Sequence, residues 1–590
     1  MEEYKCLYVD KSSQTFADTL VAFGLARLVD ELLGEQTKGG RNVLIQDKGP
    51  YYQLTCTPAL KRETVEASHQ LFPIKVIATA KNRDKLPPDL PSDLMVDYEQ
   101  ERERVDLFFA ARKAGGNGSA SPERPHPHWD IFRAINAPGG PLIGYNGLVL
   151  DWWAIRQAQP QVLLLLLDLY SDTPNDYETA ESRWKELDKR YGWGIKAQAT
   201  CQQLYNPDQG KGQNRAKADA LSIGNQSALW LVEWLKAVGF YEAALTRQVR
   251  GAKDRKTFVV APRELTFSEN RAVMDRFVQT MQVSETATRF DILAALRYAR
   301  ALLEHFNAEP GGLARLLGLQ QVKKRVVAGF HTAFYKDLGN ATATMNLAFV
   351  ALPGWVEVRS REEIDLYIAL LSELESFVRQ FDEAHSDAFT LLQYLRDFVS
   401  GDDLDAFFRF TNAFPAYLIG RRERQEQNKK SRQLTTEFIE RLVMSTEKRL
   451  SRILESPGFQ NIAYAIRQST VTAQYRKKQG DRKYDVRYGL GQELARKARY
   501  PDSFIAALSD FLHKYNAENA QVMENRSGPY RRSVKTTDID EIVALIDEFG
   551  SETVANLLIA YGYAREPYEA ESSEAEAQTS EITDEEELTQ

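Results

Sequence analysis

The chain has 590 residues, of which 43% are hydrophobic and 27% charged, as expected of a globular protein with roughly three to four domains. Its three cysteines, Cys6, Cys56 and Cys201, form no close pair, which argues against a disulfide framework or a zinc ribbon and favours a cytoplasmic location. The formal net charge of −8 excludes a uniformly basic protein, and the longest aliphatic run, residues 162–167, is too short to cross a bilayer.

The charge is distributed unevenly along the chain. Residues 566–590 carry ten acidic side chains and no Lys or Arg, so the rest of the chain has a net charge of −8 + 10 = +2. Residues 421–535 carry 25 Lys or Arg and 13 Asp or Glu, a local net charge of +12. A long basic segment before an acidic tail indicates a polyanionic partner, although a set of solvated basic helices has the same composition.

The first part of the chain mixes strands and helices. Residues 5–10 predict a strand, and residues 15–34 predict a helix with Gly34 as its C-cap. Strands are also predicted at 42–47, 51–56, 73–80 and 257–265. The apolar run 162–170 fits either a buried strand or a buried helix, and periodicity does not decide between them.

Long amphipathic helices are predicted from about residue 268 onward. The predicted fold class is therefore α+β, with a mixed α/β N-terminal part followed by a mostly helical C-terminal bundle. The predicted domain organisation is an α/β domain at 1–113, a loop or linker at 114–128, a second α/β region at 129–267, a helical region at 268–420, a basic helical bundle at 421–565 and a disordered acidic tail at 566–590.

Catalytic motifs are absent from the sequence. The seven histidines form neither an adjacent His-Asp pair nor H-E-x-x-H, and the alternating His126 and His128 are only a weak metal signal. The segment DQGKGQN is not a phosphate-binding P-loop, because Lys211 is followed by Gly212 and not by a hydroxyl residue. We therefore predict a protein that is not an enzyme and that has no metal site and no cofactor.

Two glycine-rich segments combine features that suit nucleic-acid contact. The segment NPDQGKGQNRAKADA, residues 206–220, mixes cations that can contact phosphates with amides that can read base edges. The segment INAPGGPLIGYNG, residues 135–147, could approach a DNA groove closely because its glycines carry no side chains. A flexible polar loop and a simple hairpin turn are the respective structural alternatives.

The C-terminal half contains two basic segments, RRERQEQNKKSR at 421–432 and YRKKQGDRKYDVRYG at 475–489. The second interleaves tyrosines with cations, a combination that suits single-stranded nucleic acid. The predicted backbone-binding residues in these segments and in the first glycine-rich segment are Lys211, Lys217, Arg421, Arg422, Lys429, Lys430, Arg476, Lys477, Lys478, Arg482, Lys483 and Arg487.

The opening LYVDKSSQTFADTLVAFGLARLVDELLG, the loop NPDQGKGQNRAKADALSIGNQSALWLVEWLK and the basic C-terminus together resemble the large subunit of the type I CRISPR surveillance complex Cascade. The resemblance is to the cyanobacterial I-A/I-B-like form, some members of which serve CRISPR-associated transposons. It implies a subunit that binds the 5′ end of the guide RNA, recognises the protospacer-adjacent motif and stabilises the R-loop, while other proteins carry out cleavage or transposition.

The partners implied by this resemblance are CRISPR RNA, target double-stranded DNA, the Cascade backbone and small subunits, and transposition proteins or a helicase-nuclease. The C-terminal bundle is expected to be similar to the small subunit. Carried onto this sequence, the candidates for reading the DNA motif are Asn136, Gly139, Gly140, Asn214, Arg215 and Asn225. The rival interpretations are a helical scaffold that binds only proteins, the large subunit of another CRISPR class and an unrecognised enzyme.

Overall fold

A computed structural model describes residues 2–113, 123–209, 226–321, 325–339, 341–401, 403–423, 432–525 and 530–566. The described chain forms two compact units. Unit 1 is drawn from Met1–Ala287 and Ala301–Leu352, and unit 2 from Thr288–Arg300 and Pro353–Ser573. These divisions differ from the predicted boundaries at 113, 267 and 420, because the chain returns to unit 1 after residue 300.

The strands of unit 1 form two antiparallel four-stranded sheets and two small ribbons. The first sheet has the order β1 (Glu3–Asp10), β3 (Tyr51–Lys61), β2 (Asn42–Asp47), β10 (Glu264–Thr266). The second has the order β12 (Thr342–Ala351), β11 (Val327–Asp337), β9 (Arg255–Pro262), β8 (Ala244–Gln248). The ribbons pair β4 (Val76–Ala78) with β5 (Met95–Asp97) in parallel, and β6 (Gln198–Thr200) with β7 (Ser227–Leu229) antiparallel.

The helices of unit 1 surround these sheets. They are α1 (Phe16–Gln36), α2 (Arg62–Glu66), α3 (Tyr98–Lys113), α4 (Trp129–Ile135), α5 (Leu142–Ala154), α6 (Gln159–Leu169), α7 (Tyr177–Tyr191), α8 (Trp230–Ala243), α9 (Phe267–Thr280) and α11 (Gly312–Gln321). Helix α10 (Ala287–Ala308) contributes residues to both units.

Sequence patterns located most of these N-terminal elements. The strands predicted at 5–10, 42–47 and 51–56 are confirmed as β1, β2 and β3. The undecided run 162–170 is helical, and α6 buries the whole of 162–167. The predicted C-cap at Gly34 is wrong, because α1 continues to Gln36 and the amide of Thr37 donates to the carbonyl of Leu33.

The region predicted as helical from 268 to 420 contains two strands, β11 and β12. They extend the β9–β8 hairpin into the second sheet, and this pairing is why Ala301–Leu352 belongs to unit 1. The period-two signal is weak because β11 has buried residues on both of its faces. Gly329 also interrupts the register, at a φ of 155°.

Helices α1 and α8 cross with their backbones in close contact, through one glycine on each helix. A Cβ atom at Gly24 would lie 2.1 Å from the carbonyl oxygen of Leu235, and one at Gly239 would lie 1.9 Å from that of Leu20. Both helices are almost fully buried, so neither can move aside into solvent. The crossing therefore requires glycine at both positions.

We expect Gly239→Ala to lower the free energy of unfolding by about 1–3 kcal/mol, since the added methyl group forces two packed backbones apart. Gly147→Ala in α5 is the matched control, because nothing lies within 4 Å of a Cβ atom there. Urea titration followed by circular dichroism measures both changes. Equal stability of the two variants would contradict the close crossing.

Unit 2 is helical throughout its described part. Its helices, besides part of α10, are α12 (Arg361–Val378), α13 (Ser386–Gly401), α14 (Leu404–Glu423), α15 (Thr436–Thr446), α16 (Ser451–Glu455), α17 (Pro457–Ser469), α18 (Val471–Lys478), α19 (Leu490–Lys497), α20 (Pro501–Glu524), α21 (Thr536–Phe549) and α22 (Ser551–Gly562). The predicted α+β class, mixed at the N-terminus and mostly helical at the C-terminus, is confirmed. Across the described ranges, no helix is both long and apolar enough to span a membrane.

Two partly buried histidines make the stability of unit 1 depend on pH. The ring of His128 packs against Tyr241, with 5.0 Å between ring centroids, and the ring of His331 packs against Phe349 at 5.3 Å. Burial lowers the pKa of each histidine to about 4, so the folded protein disfavours the charged imidazole.

The unfolded chain takes up these protons at about pH 6.5. The free energy of unfolding is therefore highest above pH 6.5 and decreases as the pH approaches 4. We expect each histidine to lower the free energy of unfolding by about 1–2 kcal/mol at pH 5. Urea titrations at pH 7.5 and 5 should show a smaller loss for His128→Phe/His331→Phe than for the wild type. An unchanged loss would contradict this explanation.

Candidate nucleic-acid interface

The basic segment 475–489 of unit 2 covers the end of α18 and the loop that follows it. It contains six Lys or Arg and two Asp, which gives a net charge of 6 − 2 = +4. Lys477, Lys478, Arg482 and Lys483 are exposed, and Arg476 is partly exposed. We call these five residues the basic strip. Among the residues that the structure describes, Arg476, Lys477, Lys478 and Arg482 form no ion pair with a carboxylate.

Two anchors, the buried Tyr484 and the partly exposed Arg487, connect the loop to other parts of unit 2. The ring of Tyr484 packs on the guanidinium of Arg531, with 3.6 Å from the guanidinium carbon to the ring centroid. The guanidinium of Arg487 forms an ion pair with Glu518, and the amide of Arg487 donates to the carbonyl of Ser469 at 2.8 Å. Because the anchors point inward, Arg482 and Lys483 beside Tyr484 are left in solvent.

The three tyrosines of this segment have different surroundings. Tyr475 is 61% exposed and Tyr488 is 39% exposed, so both rings can be reached by a base. Tyr488 also accepts a hydrogen bond from Nζ of Lys477 at 2.9 Å and donates one to Glu423 at 3.3 Å. Tyr484 is buried, so the predicted interleaving of rings and cations reduces to Tyr475 and Tyr488.

Some predicted phosphate contacts are used within the protein. Arg421 is 7% exposed and donates to the carbonyl of Gln380 at 2.9 Å. Arg422 donates to Oε1 of Gln433 at 2.8 Å, and burial lowers its pKa. Arg487 is likewise used in its ion pair with Glu518. We therefore exclude Arg421, Arg422 and Arg487 from the proposed surface, which consists of the basic strip. Lys429 and Lys430 lie outside the described residues.

The PGGP segment, residues 138–141, is a tight turn between α4 and α5 in unit 1. It joins two helices and not two strands, so it is not the hairpin turn named above as the structural alternative. Asn136 ends α4, and its amide donates to the carbonyl of Phe132 at 2.9 Å. Gly139 has a φ of 72°, and the amide of Gly140 donates to the carbonyl of Ala137 at 2.7 Å. A Cβ atom at Gly140 would lie 2.6 Å from the carbonyl oxygen of Ile135, so the turn needs glycine for structural reasons.

The first glycine-rich segment, 206–220, lies in sequence between the two strands of the β6–β7 ribbon. The amide of Cys201 donates to the carbonyl of Gln226 at 2.8 Å, which holds the two stems together. The predicted contact residues between these stems, which lie outside the described part of the chain, are Lys211, Asn214, Arg215, Lys217 and Asn225.

A cavity of about 250 Å³ in unit 1 is lined by Gly139, Gly140 and Pro141 of the PGGP turn. Residues 200–204, which precede the predicted segment 206–220, also line it. Arg255 and Tyr335 complete it from β9 and β11. Sequence reasoning missed both residues. Arg255 precedes the apolar run 257–265 that predicted a strand, and Tyr335 lies in β11, which was not predicted.

A buried polar cluster fixes the stem beside this cavity. Glu233 is fully buried on α8 and accepts a hydrogen bond from Nζ of Lys236 at 2.5 Å. Nζ of Lys236 also donates to Oδ1 of Asn206 at 2.6 Å, and the amide of Gln202 donates to Glu233 at 3.3 Å. Asn206, which the composition favoured as a base reader, is therefore a buried structural residue.

Cys201 is the thiol that lines the cavity, and its surroundings do not activate it. Burial raises the pKa of the Cys201 thiol to about 12, which is the opposite of an activated nucleophile. Within the described ranges, no group of three His, Cys, Asp or Glu side chains is arranged to hold a metal ion. The sequence matches no protein-family model, and a search of curated proteins finds no match either.

Proposed function

We propose that the chain is a non-catalytic, nucleic-acid-binding large subunit of a CRISPR RNA-guided DNA-targeting complex of the Cascade kind. The observation that carries this proposal is the basic strip, whose cations Arg476, Lys477, Lys478, Arg482 and Lys483 follow the exposed Tyr475 in the chain. Cations contact a sugar–phosphate backbone, and an exposed ring stacks on an unpaired base. Such a surface suits the displaced strand of an R-loop.

In this proposal unit 1 binds the 5′ end of the guide RNA and reads the protospacer-adjacent motif. Gly139, Gly140 and residues 200–204 support that role, because these two stretches, far apart in sequence, line one cavity. Base pairing with the guide reads most of the target, so the protein needs only a few contacts for the motif. The protein acts in the cytoplasm with the backbone and small subunits, and a helicase-nuclease or transposition proteins complete the reaction.

Reconstitution tests this function. The chain is combined with guide RNA and Cascade backbone subunits, and target duplexes with randomised flanking sequence are resolved by electrophoretic shift. We expect the complex to bind a subset of flanks only when the chain is present, and to cleave nothing in magnesium without a further protein. A chain that assembles with the subunits but leaves DNA binding unchanged would instead be a protein-interaction scaffold.

A further inference from the structure

Arg255 is a cation in the lining of the cavity between the PGGP turn and β11. Arg255 is partly buried in its lining, yet its guanidinium makes no hydrogen bond or ion pair with any described residue. Burial first, and then the nearby guanidinium of Arg133, lower the pKa of Arg255 to about 10, so the side chain is still charged at neutral pH. A charge removed from water normally has a counter-charge, and none of the described residues supplies one in contact with Arg255.

The carboxylates around Arg255 have other partners. Asp130 is bound by both Arg247 and Arg133, the latter at 3.1 Å. Asp254 pairs with Lys336 at 3.0 Å. Asp337 accepts a hydrogen bond from the amide of Gly339 at 2.6 Å.

Hydrogen-bonded polar groups form another wall of the cavity. Gln203 is held by three hydrogen bonds, from the hydroxyl of Thr342 at 2.6 Å, to the hydroxyl of Thr344 at 3.1 Å and from the hydroxyl of Tyr335 at 3.2 Å. The opposite wall is the backbone of Gly139 and Gly140, with no side chain to fill the space. A rigid polar cavity loses little entropy when it binds a ligand.

We propose that this cavity binds a phosphate group through the guanidinium of Arg255. A guanidinium offers parallel N–H donors that match two oxygens of a phosphate. The nearby Arg133 adds positive potential, so a doubly charged phosphate monoester gains more than a singly charged carboxylate. The volume of the cavity lies below the roughly 300–1,000 Å³ of pockets that enclose drug-sized ligands. A cavity of this size suits a phosphate group and a small part of the molecule to which the phosphate is attached.

Two sources of this phosphate are compatible with the cavity, free phosphate or a mononucleotide on the one hand and the terminal phosphate of a nucleic acid on the other. The same cavity supports the role proposed above for unit 1. Phosphate binding does not require that role, because a free phosphate would suffice and no residue of the basic strip takes part. Conversely, the loss of phosphate binding would leave the predicted role of the basic strip unaffected.

Protection of Cys201 from a small thiol reagent tests the site in the full-length wild-type protein. Cys201 lines the cavity, and Cys6 is a partly exposed thiol outside its lining that serves as the internal control. Labelling by methyl methanethiosulfonate is followed by peptide mass spectrometry with sodium phosphate, or with sodium acetate at equal ionic strength. At about ten times its Kd, phosphate should slow labelling of Cys201 about tenfold and leave Cys6 unchanged.

Adenosine monophosphate and a pair of short oligonucleotides, one with a 5′-phosphate and one with a 5′-hydroxyl, identify the source. Protection by the mononucleotide assigns a small ligand, and protection by the phosphorylated oligonucleotide alone assigns a strand end. Arg255→Gln should abolish protection, whereas Arg102→Gln, at an exposed arginine of α3 outside the cavity lining, should retain it. Arg255→Lys, which keeps the charge without the fork of donors, should weaken it.

The proposal is overturned if phosphate leaves Cys201 labelling unchanged, if acetate protects equally well, or if a folded Arg255→Gln protein is still protected. Should the glutamine variant fail to fold, the wild-type comparison of phosphate with acetate still decides the outcome.

Discussion

Replacement of the five residues of the basic strip with glutamine is expected to weaken binding of single-stranded DNA and to flatten its dependence on salt. Each phosphate contact that is lost lowers the slope of log K against log salt by about 0.7, so five contacts lower it by about 3.5. Between 50 and 200 mM salt, the wild-type affinity should therefore fall about a hundredfold further than that of the variant. Fluorescence anisotropy with a labelled oligonucleotide measures both slopes.

The matched control removes equal charge from unit 1 and leaves the basic strip intact. It replaces five exposed cations with glutamine, namely Lys81, Lys85, Lys185, Lys189 and Arg190. If binding depends on the strip and not on overall charge, the control should keep the wild-type slope. Equal slopes for the strip variant and the wild type would refute the proposed surface, and equal losses in both variants would reduce it to a net-charge effect.

Tyr475 separates base stacking from phosphate attraction on the same surface. Tyr475→Ala changes no charge, and the ring it removes is 61% exposed. We expect an affinity loss of about 1–3 kcal/mol for single-stranded DNA, with the salt slope unchanged. The same anisotropy titration applies, with duplex DNA as the control ligand, because paired bases cannot stack on the ring.

How far the sequence predicts this fold depends on how each element is buried. The strands β1 to β3 and the helix α1 could be predicted because turn residues separate short runs of clear pattern. Strand β11 could not be predicted, since it has buried residues on both of its faces and therefore shows no alternation of apolar and polar residues. The two-unit division was missed for the same reason, because it depends on which sheet the hairpin of β11 and β12 joins.

The candidate site divides in a similar way. Local charge was enough to locate the basic strip, because four of its five side chains remain in solvent. Local charge could not show that Tyr484 and Arg487 contact other parts of the protein. Their partners, Arg531 and Glu518, are distant in sequence and come near only on folding. Arg255 carries no local motif at all, and what distinguishes it is that no described residue pairs with it in three dimensions.

The two proposed binding surfaces are the basic strip and the cavity lined by Arg255, and buried polar contacts lie next to each of them. In unit 2, Arg531 is 4% exposed, packs between Tyr484 and Tyr515 and donates to Glu518 at 3.0 Å. In unit 1, the Glu233 cluster holds the stem at 202–206 against α8. Polar side chains that sequence reasoning assigned to ligands are in part the scaffold that positions the exposed ones.

The Glu233 cluster should therefore be among the most sensitive positions in unit 1. We expect Glu233→Gln to lower the free energy of unfolding by about 3–5 kcal/mol, because it leaves the ammonium of Lys236 buried without its counter-charge. Replacing Glu233 and Lys236 together with methionine removes both charges at similar volume and should cost much less. Urea denaturation of the three proteins provides the comparison. A double variant as unstable as the single one would mean that the helix needs the hydrogen bonds to Asn206 and Gln202, and not the neutralisation of charge.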